Sequence, residues 1–63
     1  MKYKITKKKN KTYISYGVMK GGFVLKDVCI SKKDIKAIAN ILNKYKVPTV
    51  HCLDIVEDYL AQN

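Results

Sequence analysis

Ser31-Lys32-Lys33-Asp34-Ile35 opens the stretch SKKDIKAIANILNKY, residues 31–45, where the chain changes its period. Within it Ile35, Ile38, Ala39, Leu42 and Tyr45 recur at spacings of three and four, which predicts one apolar side of a helix. Lys36, Asn40 and Asn43 fall on the opposite side. The Ser31 hydroxyl is suited to accept an orphan N–H at the helix start, and Asp34 in the first turn complements the positive end of the helix. Val47-Pro48-Thr49 is expected to end it, because proline disfavours helical backbone at the residue before it.

Working back from Ser31, the pattern has period two. Met1 to Thr6 alternates Lys2 and Lys4 with Tyr3 and Ile5, a strand with one wet face. Lys7-Lys8-Lys9-Asn10-Lys11 has nothing to bury and reads as a turn, with Asn10 tolerant of positive φ. Thr12 to Met19 supplies the aromatic and β-branched residues that suit a pleated surface. Lys20-Gly21-Gly22 reads as a tight hairpin turn, and Phe23 to Ile30 as a third strand. Forward of the helix, Cys52 to Ala61 reads as a second one, with Asp54, Glu57 and Asp58 towards its positive end. Leu53, Val56 and Leu60 form one apolar stripe, and Ile55 and Tyr59 a second. The expected fold is α+β: a three-stranded antiparallel meander followed by two helices on one face (βββαα), in a single domain spanning residues 1–63.

That size and composition bound the function. At 63 residues the chain has no room for a two-domain enzyme, a nucleotide-binding α/β sheet or a repeat array. No apolar run approaches the roughly 20 residues that span a bilayer, and no apolar segment follows the first lysines as it would in a secretion signal. A cytoplasmic protein without a membrane partner is expected. The 13 basic residues are all lysine, and the net charge is +8. Residues 1–33 hold ten lysines against Asp27, or +9; residues 34–63 hold three against four acids, or −1. Such a concentration draws in polyanions over the 8–10 Å range that physiological salt allows. Without arginine there is no planar fork to read guanine edges, so contact with nucleic acid would be to the backbone and salt-dependent.

Few groups are suited to catalysis. His51 and Cys52 are neighbours whose side chains point apart, which does not make a nucleophile and its base. Cys29, His51, Cys52 and Asp54 are the available zinc ligands, and they lack a C-x-x-C knuckle. The two cysteines are too few for a disulfide framework and are expected to act as small apolar side chains. Gly21-Gly22 lacks the spacing of a phosphate loop. No catalytic residue, metal or cofactor is therefore assigned. Nucleic-acid binding is the more substantial pattern: Lys2, Lys4, Lys7, Lys8, Lys9 and Lys11 interleave with Tyr3, Tyr13 and Tyr16, as in sequence-tolerant binding, with Tyr13 as the assigned aromatic. Tyrosines in strands also serve as cross-strand packing. The last helix either wedges between the sheet and the first helix, or leaves Ile55 and Tyr59 exposed to dock a partner together with Asp54 and Asp58. A second copy of the chain is one such partner, since cores this small commonly gain from association.

Tyr16-Gly17-Val18, Asp27-Val28-Cys29-Ile30-Ser31 and His51-Cys52-Leu53-Asp54-Ile55-Val56-Glu57-Asp58-Tyr59-Leu60 carry a resemblance. Over about residues 13–60 the chain is similar to a family of small domains of unknown function in spore-forming, low-GC bacteria. In that family a "YG" strand leads to a "D-I-S" helix cap, and the domain closes on an "L-x-D-V-V-E-D-F-L" helix. The resemblance brings no biochemical activity with it. In size, charge and absence of catalytic groups the chain also resembles the recombination directionality factors of prophage-like elements, which bind a serine recombinase or its DNA. The resulting expectation is a small non-enzymatic regulator of a DNA transaction. The alternative is a protein-interaction module, such as a phage or sporulation inhibitor, that binds an acidic partner and no nucleic acid.

Overall fold

The computed structural model describes residues 2–62. Three antiparallel strands are followed by two helices, an α+β arrangement as the periodicity predicts. Strands β1 (Lys4–Lys9), β2 (Ile14–Lys20) and β3 (Phe23–Cys29) lie side by side in chain order. Helix α1 (Lys32–Lys44) crosses all three. A 3₁₀ turn at Thr49–His51 leads into α2 (Cys52–Ala61), which packs beside α1. The molecule measures 33 × 28 × 16 Å. Its thinnest axis fits one sheet and one helical layer, so the second face of the sheet has no layer over it.

The register decides which residues meet the helices. Ile5, Val18 and Leu25 are cross-strand partners and share the helix side, as do Lys7 with Tyr16 and Lys9 with Ile14. Lys4 with Met19, Thr6 with Gly17 and Lys8 with Ser15 point the other way. Val18, Ile35, Ile38, Leu42 and Cys52 are fully buried, with Tyr3, Ala39, Val47 and Val56 around them. Tyr3 is held at three atoms. Its hydroxyl donates to the Val47 carbonyl at 2.8 Å, its N–H donates to Asn43 Oδ1 at 2.6 Å, and its carbonyl accepts from Asn43 Nδ2 at 3.1 Å. Asn43 thus acts as a one-residue strand partner, and this corrects its expected place on the wet side of α1.

Other boundaries shift for local reasons. Lys7, Lys8 and Lys9 belong to β1, which begins at Lys4; Met1 lies outside the described residues. The turn is tighter than read, with Asn10 N–H donating to the Tyr13 carbonyl at 2.8 Å and Lys11-Thr12 at its tip. Asn10 contributes through its side chain, which donates to Ser15 Oγ, and does not adopt positive φ. Gly21 does, at 59°, in the expected second hairpin. Ser31 caps α1 as predicted, accepting from Asp34 N–H at 3.2 Å. The helix stops at Lys44, before Pro48 acts. Lys46 turns left-handed at φ 49°, and the Lys46 and Val47 N–H groups donate back to the Asn43 and Leu42 carbonyls. That double closure, with buried Val47 beside Leu42, is a Schellman cap. It leaves Tyr45 exposed, off the apolar stripe to which its spacing assigned it.

In α2 the first apolar stripe is split, Val56 turning inwards and Leu53 and Leu60 outwards. Cys52 and Val56 are buried. Ile55 and Tyr59 are half-buried against the core, while α2 lies beside α1 and not between it and the sheet.

Candidate nucleic-acid interface

The seven residues assigned to nucleic acid divide among three places. Lys7 and Lys9 lie on the helix side of β1, at the end of the sheet that α1 leaves uncovered. Lys11 and Tyr13 sit in the adjoining hairpin turn. Lys9, Lys11 and Tyr13 line a shallow cleft of about 450 Å³ together with Ile14, Tyr16 and Ile30. Tyr13 is 53% exposed and Ile30 69%. Ile30 directly precedes the Ser31 cap, where an apolar residue often packs back onto the helix; here it stays open at the cleft. Two lysines, one free aromatic ring and an apolar floor therefore meet in this cleft, with Lys7 two residues before Lys9 on the same side of β1. This arrangement suits a flexible polyanion whose bases stack on the ring.

Lys8 points to the opposite face. Its Nζ lies 3.8 Å from Asp27 Oδ2, in a small polar network on the uncovered side of the sheet. Asp27 Oδ1 accepts from Ser15 Oγ at 2.6 Å, and Ser15 Oγ accepts from Asn10 Nδ2 at 3.2 Å. Ser15 is buried although it points away from the helices. The network rests on a bulge: Tyr16 pairs with Cys29 and Val18 with Leu25, so three residues of β3 stand opposite Gly17. Asp27 adopts φ 54° within the bulge. A Cβ on Gly17 would collide with the Leu25 carbonyl oxygen and come within 2.9 Å of Thr6 Oγ1, so the bulge requires glycine here. The Ser15 hydrogen bond, helped by Lys8 and Lys26, holds the Asp27 carboxyl below its ordinary range. Lys8 is thus spoken for by a carboxylate, unlike the lysines of the cleft.

Lys2 and Lys4 occupy the far end of the sheet. Lys2 lines a second cleft of about 440 Å³ with Lys20, Asn43 and Lys46, and Lys20 Nζ stands 5.0 Å from the centre of the Tyr3 ring. Lys4 borders Met19 and Gly21. Tyr3 is in the core and is lost to any ligand. Six residues with four lysines also suit β1 to its place at the sheet edge, since lysine there discourages pairing with another chain. On α2, Asp54 and Asp58 are exposed, while Ile55 and Tyr59 are turned inwards. Tyr59 Oη donates to Asp34 Oδ1 at 3.2 Å, which ties α2 to the first turn of α1.

The remaining reactive groups are dispersed. Cys52 is fully buried and burial pushes its thiol up, away from the reactive thiolate. His51 stands outside the core, with Nδ1 4.0 Å from Asp54 Oδ2. Among the described residues no three His, Cys, Asp or Glu side chains gather as a metal site would need. No helix among them is long and apolar enough to cross a membrane.

A family of unknown function (DUF6514) matches residues 1–62, so the chain belongs to it, and the match includes β1 as well as the C-terminal helix. No curated protein and no solved structure matches the chain.

Proposed function

We propose that the chain is a small regulatory binding protein that attaches to the phosphate backbone of nucleic acid through Lys7, Lys9, Lys11 and Tyr13. The observation that carries this reading is the meeting of Lys9 and Lys11 with the exposed Tyr13 ring in one cleft, Lys7 lying on the same side of β1. Lysine without arginine gives attachment without base readout, as an accessory factor would need. The finer reading is a cytoplasmic accessory to a DNA transaction in spore-forming, low-GC bacteria, acting with a larger protein such as a site-specific recombinase. Its support is the small, cationic fold and the resemblance of the C-terminal helix; a recombinase gene beside the coding gene would strengthen it.

Fluorescence anisotropy with labelled single-stranded and duplex DNA at low salt tests the attachment. Alanine at Lys7, Lys9 and Lys11 together is expected to abolish most of the signal, while Lys8→Ala, whose partner is Asp27, changes it little. No binding by the unaltered protein would overturn the reading. It would favour the second one, an acidic protein partner, for which the apolar floor of Ile14 and Ile30 speaks.

A further inference from the structure

We infer that two copies of this chain associate, the outer face of α2 in each seating on the lysine-rimmed cleft of the other. This contact occupies the same cleft as the proposed nucleic-acid attachment, so dimer and nucleic acid exclude each other there, and it stands whether or not nucleic acid binds. The first observation is that the outer face of α2 exposes two leucines, one on either side of a glutamate. Leu53, Glu57 and Leu60 follow one another at spacings of four and three, and Val50 extends the stripe back by three into the 3₁₀ turn. Such spacing is the seam by which a helix packs on a neighbour. Val50 is 79% exposed, Leu53 51% and Leu60 38%, although the inner face already supplies Cys52, Ile55, Val56 and Tyr59 to the core.

The second observation is charge. Cys52–Ala61 holds Asp54, Glu57 and Asp58 and no lysine. The cleft presents the opposite arrangement, an apolar floor of Ile14, Tyr16 and Ile30 bordered by Lys9 and Lys11. Pairing α2 with α2 would set acid against acid, with Glu57 in the middle of the seam. Placing α2 on the cleft instead sets carboxylates against ammonium groups and covers Leu53 and Leu60 with Ile14 and Ile30. The contact joins two different patches. Made reciprocally about a two-fold axis, it fills both clefts and closes as a dimer.

Sedimentation velocity on the full chain, freed of nucleic acid, tests this across protein concentration and salt. A dimer is expected whose dissociation constant rises by roughly tenfold or more between about 50 mM and 500 mM salt, because its charges face each other. Leu53→Ser and Glu57→Gln, both at exposed positions, are expected to weaken it with unchanged circular dichroism. Lys9→Glu is expected to weaken it as well, and combining Lys9→Glu with Glu57→Lys to restore it. A monomer at every concentration overturns the inference. So does a dimer that tightens in high salt or on Glu57→Gln, which is the behaviour of α2 paired with α2. Failure of the reversed pair to restore association also overturns it.

Discussion

At the scale of single residues, the outer face of the sheet is organised around Asp27. Its φ of 54° is one that aspartate and asparagine tolerate better than most side chains. Its carboxylate ends the chain of hydrogen bonds from Asn10 through Ser15. Because the folded state holds this carboxyl below its unfolded value, its contribution is complete above about pH 4 and is lost as pH falls through the folded value. Asp27→Asn keeps the backbone preference and removes the titration. Chemical denaturation of the two proteins across pH 2–6, spanning roughly the carboxylate range, is expected to show a shallower acid decline in the variant. Tyr3 is the other decisive residue. Tyr3→Phe removes the hydroxyl bond to the buried Val47 carbonyl and is expected to cost about 1–2 kcal/mol, read as a lower urea midpoint at unchanged slope.

At the scale of elements, what the sequence shows depends on how local the cause is. The Ser31 cap, the apolar stripe of α1 and the Gly21-Gly22 hairpin are each set by residues within one or two turns of each other, and each stands where spacing put it. The end of α1 is local too but hidden, because a lysine occupies the left-handed position where glycine would announce it. Lys46→Gly is therefore expected to raise stability by about 1 kcal/mol, measured by the same urea titration, since a residue with a Cβ bears a cost at that φ. Asn43 was not legible at all: its partner Tyr3 lies 40 residues away, and no periodicity encodes such a pair. The orientation of α2 was left open for a related reason. Both of its sides are apolar, and only the packing of Cys52 beneath Tyr3 and Val47 chooses the inner one. The bulge in β3 left one trace in the sequence, the charged pair Lys26-Asp27 interrupting an apolar run.

At the scale of the whole molecule, charge is divided between layers. The β-hairpins carry most of the lysines, and α2 carries three of the five acids. Sequence reading found this polarity, and placed the cationic surplus in the N-terminal half. It did not find the division within that surplus, because alternation along β1 sends Lys4 and Lys8 to one face and Lys7 and Lys9 to the other. Nor did it find Ile14 and Ile30 as the cleft floor, since both read as ordinary strand residues. The slab is 16 Å thick with one end cationic and aromatic, and our proposal is that this end lies against a larger polyanion.

The salt dependence of DNA binding tests that claim most directly. For the unaltered protein, the logarithm of the association constant is expected to fall linearly with the logarithm of salt, with a slope of about −2 to −3 for Lys7, Lys9 and Lys11 on single strands or duplex. Alanine at Lys7, Lys9 and Lys11 is expected to bring that slope close to zero. A slope that is unchanged in the triple variant, or affinity indifferent to salt in the unaltered protein, would contradict the account.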